Sequence, residues 1–265
     1  MKHSLRIALF HAALKPDNLT YNCNLLQAMI RQTRSYRPDL IVTPELALSG
    51  YEFHAAIGLD WIQREVPRAI ATFGELAREQ EVALVLGTPC YDEQTGSYHN
   101  AAIFIDEQGQ VVGHYDKIRV IPGHSEGWSR PGSAVQALRW RESTIGLLIC
   151  ADAYTPAIAD ELLRQGAEAL ISPAAWAPGQ YGPDGEWEQR SRETGLPLLV
   201  CNRTGHETTM NFNGSSSAIV VAGRRVLDYA ETAPAILICD VAADDWRLLS
   251  QEFQIIPVPP DPPGA

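Results

Sequence analysis

The feature that most constrains this chain is its alternation of short, β-branched apolar runs with longer amphipathic segments. Leu5–Phe10, Leu40–Thr43 and Val82–Gly87 are brief and almost wholly apolar, and read as buried strands. Between them lie Asn18–Ser35, stopped by the Arg37-Pro38 pair, and Gln63–Gln80, both with helical spacing. Such an order predicts a sheet covered by helices.

The rhythm then changes. Tyr98–Ile105, Val111–Tyr115 and Ala134–Trp140 read as strands separated by turns such as Glu107-Gln108-Gly109, the pattern of antiparallel hairpins. Ile145–Ile149 is expected to run as a strand straight into Cys150, before a helix with Thr155 as N-cap and Pro156 first. Ala169–Ser172, Leu198–Val200, Ser217–Val221 and Ile236–Cys239 complete the strands, with a helix near Glu186–Thr194. No linker, composition shift or repeat divides the chain, so residues 1–254 read as one domain. Residues 255–265 hold five prolines and are expected to form a tail without regular structure, placed at a dimer interface.

Composition narrows the partners. With 45% hydrophobic and 20% charged residues, the 265-residue chain can bury a sizeable core. A net charge of −11, with no block of Lys or Arg, argues against nucleic acid or an anionic membrane as partner. Met1–Phe10 lacks the features of a signal peptide, and no apolar run approaches the ~18 residues of a membrane span. The five cysteines contain no C-x-x-C pair, which points to neither a disulfide framework nor a zinc site. The seven histidines form no H-E-x-x-H cluster, so no metal or other cofactor is expected, and the cytoplasm is the expected compartment.

Three strand ends carry chemistry: Thr43-Pro44-Glu45, Tyr115-Asp116-Lys117 and Leu148-Ile149-Cys150. A cysteine nucleophile needs a base for its proton and a cation or donor for the oxyanion. Glu45 suits the first role and Lys117 the second, and a nearby Lys117 would also favour the thiolate. Taken singly, each residue has a plainer reading: a buried small hydrophobe, a turn cap, an exposed charge.

The wording around them decides otherwise. Pro44-Glu45-Leu46 with Ser49-Gly50-Tyr51, then Tyr115-Asp116-Lys117-Ile118, then Gly146-Leu147-Leu148-Ile149-Cys150-Ala151-Asp152 resemble, in order, the signature blocks of the nitrilase superfamily. Gly166-Ala167-Glu168, Cys201-Asn202-Arg203 and Phe212-Asn213-Gly214-Ser215-Ser216 extend the likeness across nearly the whole chain. The resemblance implies an α/β fold, a four-layer α-β-β-α sandwich that usually forms a homodimer or higher even-numbered oligomer. It implies Glu45 as general base, Lys117 as oxyanion stabiliser and Cys150 as nucleophile, with the Ala151 N–H completing the oxyanion hole. Ser125-Glu126-Gly127-Trp128 with Pro131-Gly132 resembles wording of the aliphatic-amidase branch, which makes Glu126 the second glutamate that positions substrate and lysine. The implied reaction is hydrolysis of a small linear carboxamide, with nitriles and N-carbamoyl amides as alternatives on the same triad.

After the cysteine, Asp152 and Pro156 fit the amidase pattern, whereas Ala151, Tyr154 and Ala157 depart from it, which leaves the substrate open. Trp128, Tyr154 and the loop Ser172–Trp187, with Trp176, Tyr181 and Trp187, are candidate pocket walls. Two rivals remain. Gly123-His124-Ser125-Glu126-Gly127 satisfies G-x-S-x-G, but Pro131 and Gly132 follow where that serine-hydrolase elbow needs a helix. A non-catalytic binding member of the fold would have no need to keep all three triad positions.

Overall fold

The computed structural model describes residues 4–121, 126–180 and 182–258. Strand β1 (Ser4–His11) alternates cleanly: Leu5, Ile7 and Leu9 face one hydrophobic cluster, and Ala8 and Phe10 another. A strand apolar on both faces belongs in the middle of a covered sheet, and β1 lies there. Helix α1 (Leu19–Gln32) is capped by the Asn18 side chain, which accepts from the Tyr21 N–H, and buries Leu25, Leu26, Met29 and Ile30. The parallel strands β2 (Leu40–Val42) and β3 (Ala83–Asp92) flank a short helix α2 (Phe53–Ile57) and the long α3 (Ile62–Gln80). Antiparallel β4 (Ser97–Ile105) and β5 (Val111–Asp116) follow.

The second half repeats the plan. Strand β6 (Leu138–Trp140) pairs antiparallel with β7 (Ser143–Leu147), which runs parallel to β8 (Ala169–Pro173) and β9 (Leu198–Cys201). Helices α4 (Pro156–Arg164) and α5 (Glu186–Thr194) cover this sheet. Strands β10 (Ser217–Val221), β11 (Arg224–Tyr229), β12 (Ala235–Ala242) and β13 (Gln254–Pro257) complete the chain. One sheet has the order β13-β12-β1-β2-β3-β4-β5 and the other β11-β10-β9-β8-β7-β6. With α1 and α3 outside the first and α4 and α5 outside the second, the expected four layers are present. Among the described residues no helix is long and apolar enough to cross a membrane.

Several expectations are corrected. The run from Ile255 was expected to lack regular structure, yet Gln254–Pro257 pairs with β12 as its outer neighbour. Proline is tolerated there because an edge strand leaves one row of backbone groups unpaired. The strand straddles the expected boundary at residue 254, and the rest of the tail, from residue 259, lies outside the described residues. The strand expected over Ala134–Trp140 is only Leu138–Trp140, because β6 has a single short partner. Strand β11 carried no strong sequence signal; the Ala222-Gly223 turn that joins it to β10 has positive φ at both residues, as a two-residue hairpin requires. Thr155 precedes α4 as expected, but its side chain makes no capping bond.

Candidate active site

All three reactive strand ends meet at one end of the sandwich. Beyond β2 the chain is drawn against β3: the Thr43 N–H bonds Val85 O at 2.9 Å, and Gly87 N–H bonds Thr43 Oγ1 at 2.9 Å. A Cβ on Gly87 would stand 2.0 Å from the Pro44 carbonyl oxygen, so only glycine lets Pro44-Glu45 lie this close. Lys117 follows β5; its N–H bonds Asn100 O at 2.8 Å and its carbonyl accepts from Gly132 N–H at 2.8 Å. The ladder of β7 ends at Leu147, two residues before the expected end, and Cys150 turns the chain at φ +48° into a 3-10 turn over Cys150–Tyr154. A non-glycine residue at positive φ is strained.

Glu45, Lys117 and Glu126 are each fully buried. Lys117 Nζ lies 2.7 Å from Glu45 Oε1 and 2.6 Å from Glu126 Oε1. Asn100 Nδ2 donates to the same two oxygens, each at 2.7 Å. The other oxygens are held by backbone: Ala175 N–H donates to Glu45 Oε2 at 2.8 Å, and Ile121 N–H to Glu126 Oε2 at 3.2 Å. Ala175 follows β8, so the two sheets meet at Glu45. Burying three charged groups costs several kcal/mol per ion before pairing is counted, a poor route to stability and a common one to reactivity.

Burial raises the Glu45 carboxyl above its ordinary range, with Lys117 pulling the other way. Burial also opposes the Lys117 charge, but Glu45 and Glu126 outweigh it and hold the ammonium well above the usual lysine value. The buried Cys150 feels the same charges. Desolvation and the Glu45 carboxylate push its thiol well up, and Lys117 offsets this only in part. The thiolate-favouring influence expected of Lys117 is therefore present but overruled, and the resting group is a thiol under the influence of the Glu45 carboxylate. Lys117 spends two N–H bonds on the carboxylates and the third meets no acceptor among the described residues. The Ala151 N–H likewise donates to none of them.

The carbon-nitrogen hydrolase family model matches residues 6–251. The chain belongs to the carbon-nitrogen hydrolase family. It is 29% identical to an N-carbamoylputrescine amidase of Oryza sativa subsp. japonica, over 74% of this chain and 69% of that one. A cysteine-to-alanine mutant of the Nesterenkonia AN1 amidase, from the nitrilase superfamily, superposes with a TM-score of 0.81 at 26% identity, covering 93% and 94% of the two chains. Another variant of that amidase, 25% identical with a TM-score of 0.80 and the same coverage, carries the acetamide moiety of fluoroacetamide on its active-site cysteine.

In this carbon-nitrogen hydrolase, two residues with no assigned role in the sequence reading prove central to the site. Asn100, the first fully buried position of β4 after the half-buried Ser97-Tyr98-His99, offers no local signal of a role. Asp152 stood in a matching position, and the structure gives it a task. Its Oδ2 accepts from Tyr115 Oη at 2.8 Å and Ile149 N–H at 2.9 Å, and its Oδ1 from Ile118 and Arg119 N–H at 3.1 and 2.7 Å. The turn that holds Cys150 is thereby bolted to the segment after Lys117.

The aromatic residues divide. Trp128 is buried against Phe53 at 4.9 Å, close to Glu126 in sequence. Trp176 and Trp187 are buried with ring centroids 5.0 Å apart, and Trp176 also meets Tyr154 at 5.0 Å. Trp187 is core. Trp176 is steered by Asn202, whose side chain bonds its N–H and its carbonyl, each at 3.0 Å. Tyr154 is 43% exposed. Ser125 and Tyr181 lie outside the described residues; residues 126–128 form a turn, not the helix a G-x-S-x-G elbow needs. Among the described residues no three His, Cys, Asp or Glu side chains are placed to hold a metal.

Proposed function

We propose that this carbon-nitrogen hydrolase cleaves a small linear carboxamide through a thioester on Cys150. The observation that carries the reading is the buried Lys117 ammonium, held between Glu45 and Glu126 with one N–H unspent, beside the Cys150 thiol. Glu45 takes the thiol proton as sulfur attacks the carbonyl carbon, and the oxyanion is met by Lys117 and the Ala151 N–H. Collapse expels the amine with the proton from Glu45. Glu45 then takes a proton from water, whose oxygen attacks the thioester, and the freed thiol is reprotonated as the acid leaves. Glu126 orients Lys117, and Trp128, Trp176 and Tyr154 shape the pocket.

An amide suits this set of donors because its carbonyl yields an oxyanion for two N–H groups to stabilise. A nitrile offers no oxygen at that step. N-carbamoyl amides are a second substrate class, favoured by the likeness to the rice enzyme. We propose that the working form is an even-numbered homo-oligomer of the cytoplasm; the five free thiols suit a reducing compartment.

A panel of matched carboxamides, nitriles and N-carbamoyl amides, followed by ammonia release, tests the reading. Carboxamides are expected to lead nitriles in kcat/KM, and rapid quenching should place the acyl group on the Cys150 peptide. Cys150→Ala should lose both turnover and adduct, whereas Ser125→Ala keeps most activity. A nitrile preference of about tenfold, or ~1.4 kcal/mol of transition-state binding, would replace the substrate class. An acyl group on Ser125 would replace the mechanism.

A further inference from the structure

The hydrogen bonds around Lys117 close into a ring. Going round it, Glu45 Oε1, Lys117 Nζ, Glu126 Oε1 and Asn100 Nδ2 alternate acceptor and donor, with edges of 2.7, 2.6, 2.7 and 2.7 Å. Three members have roles in the chemistry proposed above. The fourth, Asn100, is fully buried in β4 and also accepts the Lys117 backbone N–H at 2.8 Å.

Two carboxylates sharing one ammonium in a dry site repel each other, and the usual relief is for one to keep a proton. A protonated Glu45 could not take the thiol proton. Asn100 supplies one N–H to each carboxylate without adding a charge. Its orientation follows from the ring, since a flipped amide would point Oδ1 at two carboxylate oxygens. Held this way, Oδ1 accepts from no described residue, so the side chain gives up its own acceptor to make these two bonds.

We propose that Asn100 is a positioning residue that keeps Glu45 available as a base and Lys117 centred between Glu45 and Glu126. The inference rests on the reading of Glu45 as base and Cys150 as nucleophile. Glu45 is also faced by Lys117, Glu126, Cys150, Tyr51 and Arg203 from the surrounding elements. Of these only Lys117 joins the two carboxylates, so removing Asn100 leaves their separation to the lysine alone.

The test follows alkylation of Cys150 by iodoacetamide in the full-length protein, located by peptide mass, as a function of pH. Wild-type labelling should rise with pH as Glu45 loses its proton. In Asn100→Leu and Asn100→Asp that rise should move to higher pH, because each loses N–H donors to the carboxylates and the second adds a like charge. Ser129→Ala removes the acceptor of the Asn100 backbone N–H, 3.0 Å away, and should leave the rise in place. Folded Asn100 variants whose rise coincides with wild type would overturn the proposal.

Should neither variant fold, the wild-type protein labelled with 15N-asparagine decides. One carboxamide whose two protons both shift with the midpoint of the labelling curve supports the ring, and no such carboxamide overturns it. A wild-type Cys150 that resists alkylation at every pH would instead sink the thiol-nucleophile reading, and this one with it.

Discussion

The Tyr115 hydroxyl donates to Asp152 Oδ2 at 2.8 Å, and this bond joins the strand that delivers Lys117 to the turn that delivers Cys150. Both residues are buried. Burial pushes the Asp152 carboxyl up, and the backbone N–H groups of Arg119 and Ile149 hold it down. Tyr115→Phe should cost about 1–2 kcal/mol in urea unfolding, the usual cost of a lost buried hydrogen bond. Turnover should fall further than that stability loss explains, because the spacing of Lys117 and Cys150 relaxes. Wild-type kcat in the variant would show that other contacts hold the register.

Glu126→Gln keeps the shape of the side chain and removes one of the two charges on Lys117. Turnover should drop by ~10²-fold or more, the scale of a misplaced catalytic group. The melting temperature should change little, since Lys117 keeps the Glu45 carboxylate as counter-charge and no buried charge is left unpaired. A correctly folded variant with near-normal turnover would demote Glu126 to a structural carboxylate.

Gly87→Ala probes the seating of Glu45 without touching a titratable group. Its new Cβ meets the Pro44 carbonyl at 2.0 Å, so Pro44-Glu45 must move. Overpacking of this kind costs about 1–3 kcal/mol, and displacement of Glu45 should lower kcat by at least tenfold. If thermal melts and kcat both match wild type, the close approach does not set the position of Glu45.

His11 is fully buried, with Nε2 3.1 Å from the Glu231 carbonyl and Nδ1 3.0 Å from Ser217 Oγ. The carbonyl can only accept, so Nε2 carries a proton, while Ser217 Oγ lies 3.0 Å from both Nδ1 and the Asn202 carbonyl oxygen. Burial holds the imidazole down at about 4, against 6.5 when free. The unfolded chain therefore binds a proton that the folded protein refuses. Stability is full above pH 6.5 and declines as pH falls toward 4, by about 3 kcal/mol from this residue. Urea midpoints across that range should slope less steeply in His11→Gln, and equal slopes would remove His11 as the cause.

Ending the chain after Phe253 removes β13 and bares the outer edge of β12. Ile256, buried in the outer core, goes with it. The truncated protein should melt lower and show a rising light-scattering mass with time, as unpaired edges invite strand addition. An unaltered melt would mean that the sheet is complete without its last strand.

Glu45, Lys117, Glu126 and Cys150 were legible in the sequence because each is embedded in local wording, and wording survives without three-dimensional knowledge. The order of strands and helices was legible for the same reason, since apolar periodicity is a property of neighbours along the chain. Asn100 and the role of Asp152 were not, because their partners are distant: Asn100 meets Glu45 across 55 residues and Glu126 across 26, and Asp152 meets Tyr115 across 37. Strand β13 was missed because prolines argue against a strand until it is known to lie at an edge. The sequence by itself determined which groups are available for chemistry. Only the tertiary structure decided their state: closing one sheet over the other removes water from Glu45, Lys117 and Cys150 together, and desolvation, the largest influence on all three, has no signature in the order of residues.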